Sequence, residues 1–336
     1  MRAYEVREAF GLDNLVLTER EDPTPGPGQV RVRIRFASIN YRDWLMVDGK
    51  YNPRQPLPLI PLSDGAGEID AVGPGVATKI GARVIGLFAP AWQAGEPRVS
   101  TMRLTLGGPL DGTLAQHLVV DEAGVVPVPE HLSLEEAATL PCAGATAWSA
   151  LVTEGKIRAG DTVLVQGSGG VSTFALDFAR MHGARVIATT SSAEKAEWLK
   201  QRGAWQTVSY ADDPEWGKAV RDMTGGRGVD HVVEVGGAGT LAQSIRAVRA
   251  GGTISMIGVL AGGAGKVNMT PVLMNAIRIQ GVLVGSRENM EAMNRAIETL
   301  GYRPHVDRVF GFGEARAAFE HLVAGKHRGK IAIAID

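Results

Sequence analysis

The sequence predicts an α/β protein built from a doubly wound parallel-sheet domain and a second, β-rich domain. Three observations carry this. The chain has 336 residues, room for about two domains at roughly 150 residues each. Residues 1–125 read as short alternating runs broken by glycine and proline, the pattern of half-buried antiparallel strands. After residue 132 helical spacing sets in, and continuous β-branched runs then alternate with helices, as in a parallel sheet covered on both faces.

In order, the alternating runs are VRVRIRF (30–36), AGEIDAVG (66–73), RVIGLF (83–88) and AQHLVV (115–120). DPTPGPG (22–28) and APAWQAGEPR (89–98) are turn-rich punctuation rather than linkers, because alternation resumes after each. LSLEEAATLPCAGATAWSAL (132–151) is helical in spacing, with Ser133 and Glu136 placed as a capping box. VLVQ (163–166), RVIAT (185–189), TVSY (207–210), HVVEV (231–235), TISMIGV (253–259) and IRIQGVLVG (277–285) then read as strands between helices. Beyond MNRAIETLG (293–301) the closing strand KIAIAID (330–336) is too little for a domain and is expected to fold back on the N-terminal β region. The predicted division is 1–125 with 288–336, and 126–287.

Composition narrows the function. Lys and Arg number 35 against 36 Asp and Glu, with 21% charged and 45% hydrophobic residues; this is an ordinary globular balance and offers nothing to nucleic acid. Charges at positions 2, 5, 7 and 8 interrupt any apolar leader, and no run approaches 18 apolar residues, so neither a secretory signal nor a membrane span is expected. The single cysteine, Cys142, excludes a disulfide framework and a zinc site of several thiolates, and it suits a reducing compartment, so the cytoplasm is expected. Glycine is high, 43 residues, about 13% against an average of about 7%.

Part of that excess lies in Gly167-Ser168-Gly169-Gly170-Val171-Ser172, which follows VLVQ and opens a helix. Glycines between a strand and a helix permit a tight turn and let backbone amides approach a pyrophosphate at the helix N-terminus, so a dinucleotide site is expected. An NAD site would place an acid about 20 residues past the first glycine; residues 187–190 are Ile, Ala, Thr and Thr. Ser191, Ser192 and Lys195 follow, offering hydroxyls and a cation where a 2′-phosphate would lie, so NADP(H) is the expected cofactor. Ser192 as a helix cap and Lys195 as a solvated charge are the alternative for those positions.

The chain resembles the medium-chain dehydrogenase/reductase superfamily over essentially its whole length, through SINYRDWL (38–45), PLIPLSDGAGEIDAVG (58–73), AATLPCAGATAWSAL (137–151), VLVQGSGGVS (163–172), DHVVEVGG (230–237) and HRGKIAIAID (327–336). The resemblance implies a GroES-like (chaperonin-10-like) catalytic domain made from both chain ends, with a Rossmann domain inserted. It also implies where a catalytic zinc would be held. The first ligand position corresponds to Asn40, the histidine position to Ser63 beside Asp64, and only Cys142 matches a ligand. Residues 89–113 lack the four cysteines of the structural zinc. Three protein ligands are the norm for catalytic zinc, so no zinc is expected and Cys142 is expected to be buried and inert.

Without a metal to polarise an oxygen, the resemblance points to the quinone oxidoreductase and enoyl reductase branches, whose acceptors are already electrophilic. There Tyr210 matches a tyrosine that joins Lys195 at the 2′-phosphate. Tyr51 matches an active-site tyrosine of the enoyl reductases, Asn40 and Tyr41 lie at and after the lost ligand position, and NYRD resembles the acryloyl-CoA reductase-like branch. Asn40, Tyr41 and Tyr51 are therefore the catalytic candidates; a packing role is open for each tyrosine, and Arg42 with Asp43 reads equally as a surface pair. Gly236 and Gly237 fit a structural turn and a cofactor contact alike. Gly258, Ser286 and Arg287 are implied near the nicotinamide, and Lys330 with Arg328 near cofactor phosphates or at a solvated strand edge. His231 reads as a satisfied strand residue. The 277–286 strand is implied to pair across a two-fold axis in a homodimer. A zinc-type alcohol dehydrogenase with unorthodox ligands and a non-catalytic NADPH-binding protein are the competing readings.

Overall fold

The computed structural model describes residues 1–336 and divides into two compact units, Met1–Ala145 with Val284–Asp336, and Thr146–Leu283. The first unit therefore runs on through Ala145 instead of ending at residue 125, and it takes in the C-terminal stretch.

In the first unit, β1 (Arg2–Val6) and β2 (Leu15–Glu19) form an antiparallel pair. The larger sheet uses β3 (Gln29–Ile39), β4 (Asp64–Val72), β5 (Arg83–Gly86), β6 (His117–Asp121) and β7 (Val125–Pro127). In β3 the branched side chains Val30, Val32 and Ile34 are buried, and Arg31, Arg33 and Arg35 point outward. Period-two alternation thus gives one dry face, and each buried Val or Ile contributes about 1.5–3 kcal/mol.

The second unit holds one six-stranded sheet, all parallel: β8 (Thr162–Gln166), β9 (Arg185–Thr190), β10 (Gln206–Ser209), β11 (Val229–Glu234), β12 (Val248–Met256) and β13 (Arg278–Gly281), in the order β10-β9-β8-β11-β12-β13. Leu164, Ile187, Val232 and Ile254 form its core. The chain runs outward from β8 and returns to β11 on β8's other side, so the sheet's switch point lies between those two strands.

The last strand is shorter than its sequence. Only 278–281 pair with β12, and Val284 takes φ +47, a left-handed conformation costly for a β-branched residue, so the run leaves the sheet before 286. From there the chain returns to the first unit, where β14 (Val306–Gly311) and β15 (Lys330–Ala334) complete its sheet, β15 pairing with β14 on one side and β3 on the other. Ser133 and Glu136 do form the capping box, but only Leu134–Ala137 of that segment is a separate α-turn. Leu140–Gly144 and Ser149–Thr153 are π-helical turns on either side of Ala145–Trp148. No helix is long and apolar enough to cross a membrane.

Candidate active site

Strand register assembles the first site. Ser38 of β3 pairs with Asp64, the first residue of β4, and Ile39 pairs with Ile331 of β15. The residues next along the chain, Asn40, Ser63 and Lys330, therefore meet at one corner of the sheet. Lys330 Nζ donates to the Ile39 carbonyl at 2.8 Å and to Asn40 Oδ1, and lies 3.8 Å from Asp64 Oδ2. Asn40 Nδ2 donates to Ser63 Oγ at 3.4 Å, and Ser63 Oγ donates to Asp64 Oδ1 at 2.7 Å. The Cys142 amide donates to Asp64 Oδ2 at 3.2 Å. It comes from the Leu140–Gly144 π-turn, where wider i→i+5 bonding commonly marks a functional segment.

Lys330 was expected at cofactor phosphates or a solvated edge. It is instead 3% exposed, because β15 enters the sheet at this residue with its side chain facing Asn40. The expected surface pair is also corrected: Arg42 and Asp43 are both buried. Asp43 accepts from the amides of Asn40 (2.8 Å) and Ser63 (3.3 Å) and from Arg42 Nη1 (3.2 Å), while Arg42 donates to the carbonyls of Leu106 and Gly108. They bind the start of the helix Tyr41–Val47 to neighbouring loops. The Arg42 guanidinium lies 5.0 Å from the centre of the Tyr51 ring and 5.1 Å from that of Phe88, so Tyr51, a residue 45% exposed, has a cation–π partner. Tyr41 is 40% exposed beside the buried Asn40.

Burial sets the electrostatics. It raises the Asp64 carboxyl from 3.8 to about 6 despite the opposing pull of Lys330, and Asp43 adds to the rise. Burial also raises Asp43, against Arg42 and the Asn40 amide. The Cys142 thiol is pushed up by burial and by the Asp64 carboxylate; its residue is half-buried rather than fully enclosed. This set does not fit a catalytic zinc: a carboxamide and a hydroxyl stand at two ligand positions, an ammonium lies among them, and no three His, Cys, Asp or Glu side chains converge anywhere in the chain.

In the second unit, Gly167 has φ +76 and follows the last residue of β8, a conformation that favours glycine. Gly169 caps the helix Gly170–Met181 without any side-chain bond to its free amides, and a Cβ at Gly169 would meet no protein atom within 4 Å. Backbone amides at a helix start beside open space at a switch point fit a dinucleotide pyrophosphate. Ser168 is buried, its carbonyl accepting from Thr173 Oγ1; Gly170 and Val171 open the helix. Ser209 pairs with Thr190, and the Tyr210 amide donates to the Thr190 carbonyl at 3.0 Å, so Ser191 and the 47% exposed Tyr210 share one end of the sheet. Ser192 caps the next helix by accepting from the Lys195 amide.

Other expected cofactor contacts have internal roles. The Gly236 amide donates to Glu234 Oε1 (2.8 Å) and Gln166 Oε1 (3.1 Å), and a Cβ there would strike Thr240. A Cβ at Gly258 would lie 2.4 Å from the Val235 carbonyl. Both are glycines because the protein's own atoms crowd them. Ser286 is the buried cap of the helix Arg287–Leu300, and Arg287 bonds Glu291 and the carbonyls of Ala123 and Val125. His231 is buried and pairs with Asp161 at 3.1 Å. Sequence reasoning passed over Glu234, fully buried, which accepts from the Gly236 and Gly237 amides and from Thr240, Gln166 and Ser244. It ties the ends of β8 and β11 together at the switch point. The signal was present, since a Glu inside the apolar run HVVEV needs partners.

The chain thus combines a parallel sheet that has a glycine turn at its switch point with a β-rich unit that carries a buried polar corner. Residues 26–130 match the alcohol dehydrogenase GroES-like domain and residues 170–299 the zinc-binding dehydrogenase family. A zinc-type alcohol dehydrogenase-like protein of Schizosaccharomyces pombe is 40% identical over 98% of this chain and 97% of its own. An acryloyl-coenzyme A reductase of Sulfurisphaera tokodaii is 34% identical over 72% of each chain. Among solved structures, an NAD-dependent alcohol dehydrogenase matches at TM-score 0.91 with 34% identity over the whole of both chains. The crotonyl-CoA carboxylase/reductase AntE in complex with NADP matches at 0.89 with 27% identity, covering 99% of this chain and 94% of that one. The chain belongs to the medium-chain dehydrogenase/reductase superfamily and is an oxidoreductase of that family.

The raised Asp64 gives a pH signature. Between about pH 4 and 6 the folded chain holds a proton that the unfolded chain releases, so stability falls as pH rises through that window. A shift from 3.8 to about 6 corresponds to about 3 kcal/mol. Urea unfolding of wild type and Asp64→Asn from pH 4 to 7 is expected to show wild type losing up to about 3 kcal/mol relative to the variant, then levelling. A difference flat across the range would mean that Asp64 titrates normally.

Proposed function

We propose that this chain is a zinc-independent, NADPH-dependent reductase of activated acceptors, either quinones or compounds with a carbon–carbon double bond conjugated to a carbonyl. The observation that carries the reading is the corner of Asn40, Ser63, Asp64 and Lys330, where hydrogen-bonding groups and an ammonium stand in place of metal ligands. Such groups stabilise negative charge on an acceptor oxygen by donating hydrogen bonds, an interaction worth roughly 3–4 kcal/mol per donor, but they cannot activate an alcohol as zinc does. The S. pombe relative's zinc-type name weighs on the other side; the acryloyl-coenzyme A reductase and AntE weigh for an enoyl-type acceptor.

Bound NADPH supplies a hydride. On this reading the Gly167–Val171 turn and the helix behind it hold the pyrophosphate, and Ser191, Lys195 and Tyr210 meet the 2′-phosphate. β9 ends in Thr189 and Thr190, with no acid for an unphosphorylated ribose. Asn40 presents the donor to the acceptor oxygen, with Tyr41 and Tyr51 as exposed side chains on the same chain segment.

A screen of quinones, 2-enals, 2-enones and acyl-CoA thioesters with NADPH, alongside metal analysis, tests this. Turnover of at least one class by metal-free protein is expected, and activity that tracks bound zinc would overturn it. Lys195→Ala is expected to weaken NADPH about tenfold, near 1.4 kcal/mol, and to leave NADH unchanged; equal losses for both would remove the 2′-phosphate role.

We further propose a homodimer built on the second unit. β13 is a sheet edge, and the neighbouring helix Thr270–Met274 shows Leu273 80% and Met274 74% exposed. Unpaired edges and apolar patches of this kind are normally covered. Light scattering is expected to give a dimer at micromolar concentration and a monomer for Leu273→Glu/Met274→Glu. A monomeric wild type would end this proposal.

A further inference from the structure

We infer that Arg42 is a positioning residue: its buried guanidinium is the platform on which the Tyr51 ring rests, so that Tyr51, and not Tyr41, holds a hydroxyl ready for the acceptor oxygen. The inference rests on the reductase reading above and chooses between its two exposed tyrosines. Tyr51 sits on a loop folded back against the helix Tyr41–Val47. The amides of Lys50 and Tyr51 both donate to the Leu45 carbonyl, at 2.8 and 2.9 Å. Arg42 and Leu45 are three residues apart and so lie on one face of that helix. The Tyr51 ring centre is 5.0 Å from the Arg42 guanidinium.

Arg42 is fixed from below. Its Nη1 donates to Asp43 and to the Leu106 carbonyl, its Nη2 to Thr105 Oγ1 and to the Gly108 carbonyl, and the residue is 8% exposed. Nε is buried with no hydrogen-bond partner, an unfavourable state for a donor. Aromatic faces are the compensation left to that edge of the group, and two are supplied, Tyr51 and Phe88 at 5.1 Å. A cation taken out of water holds a ring more firmly than a hydrated one does.

Tyr51 is nonetheless open: it is 45% exposed, and its hydroxyl takes no partner from the chain. Tyr41, 40% exposed, has no cation over its ring. A donor contributes to a reaction only if it already points to where negative charge develops, and of the two tyrosines Tyr51 is the one so held. As the acceptor is reduced, its oxygen gains negative charge and takes a hydrogen bond from the Tyr51 hydroxyl; the phenol keeps its proton. Arg42 touches no reacting atom and acts through Tyr51.

The test compares wild type, Tyr51→Phe, Arg42→Lys and the double variant as full-length protein. Arg42→Lys keeps the charge beside Asp43 and removes the planar group that stacks on the ring. Two quantities are read: kcat with 2-cyclohexen-1-one and with 1,4-benzoquinone, and the fluorine NMR spectrum after 3-fluorotyrosine replaces the five tyrosines, the Tyr51 signal being the one lost in Tyr51→Phe. Tyr51→Phe is expected to lower kcat by about 100-fold, and Arg42→Lys to approach that loss. The double variant is expected within about twofold of Tyr51→Phe alone, because interacting residues are not additive. The Tyr51 signal is expected well away from its position in unfolded protein, and to move toward it in Arg42→Lys. An equal kcat loss from Arg42→Lys with and without the Tyr51 hydroxyl would overturn the inference, as would a Tyr51 signal that ignores Arg42→Lys. If wild type reduces no acceptor while the Tyr51 signal responds to Arg42→Lys, the reductase reading fails and the hold of Arg42 on the ring stands. Should Arg42→Lys not fold, a wild-type Tyr51 signal at the unfolded position would equally overturn the inference.

Discussion

The pairing of β15 with β3 is the contact on which the first unit depends. β3 is eleven residues long and has a different partner along each half of one edge: β6 from Gln29 to Arg33, and β15 from Phe36 to Ile39. The second half has no partner until the chain has passed through the entire second unit and returned. Ile331 and Ile333 then enter the same core as Ile39, Phe310 and Phe319. The strand that closes the sheet also delivers Lys330, so folding and site assembly are one event. Such pairing carries a high entropic cost of loop closure, which makes the closing strand's fully buried apolar residues necessary.

Four ionisable groups lie buried at that corner: Arg42, Asp43, Asp64 and Lys330. Burial of charge is unfavourable unless each group is hydrogen-bonded and paired, and the two carboxylates meet this condition differently. Asp43 receives two backbone amides and the Arg42 guanidinium. Asp64 receives a hydroxyl, one amide and an ammonium 3.8 Å away, beyond hydrogen-bonding reach. Burial therefore outweighs attraction at Asp64 and raises it to about 6, leaving a carboxyl that changes state in the mildly acidic range.

The strands were legible because alternation and β-branched runs report burial directly: VRVRIRF became the first part of β3, and the parallel runs took their places around the glycine turn. What depends on register was not legible. Nothing local to HRGKIAIAID says that Lys330 faces Asn40, because that follows from which residue of β3 meets Ile331. Arg42 and Asp43 looked like a surface pair for the same reason, their burial being imposed by loops distant in sequence. Ser286 was a case of reading a resemblance before a local rule, since its spacing to Asn289 is that of a helix cap. The excess of glycine proves to have two causes. Gly167 and Gly169 leave open space, whereas Gly236 and Gly258 are crowded by the chain itself, and sequence alone shows only that each lacks a side chain.

An ammonium and a metal ion impose different chemistry even at one place in a fold. Zinc accepts electron pairs and can bind an oxygen directly, which is why it activates unreactive alcohols and carbonyls. Lys330 offers N–H bonds in fixed directions, and these are taken up by Ile39 and Asn40, with the Asp64 carboxylate 3.8 Å away. A hydrogen bond of that kind stabilises an oxyanion that forms readily but does little for one that does not.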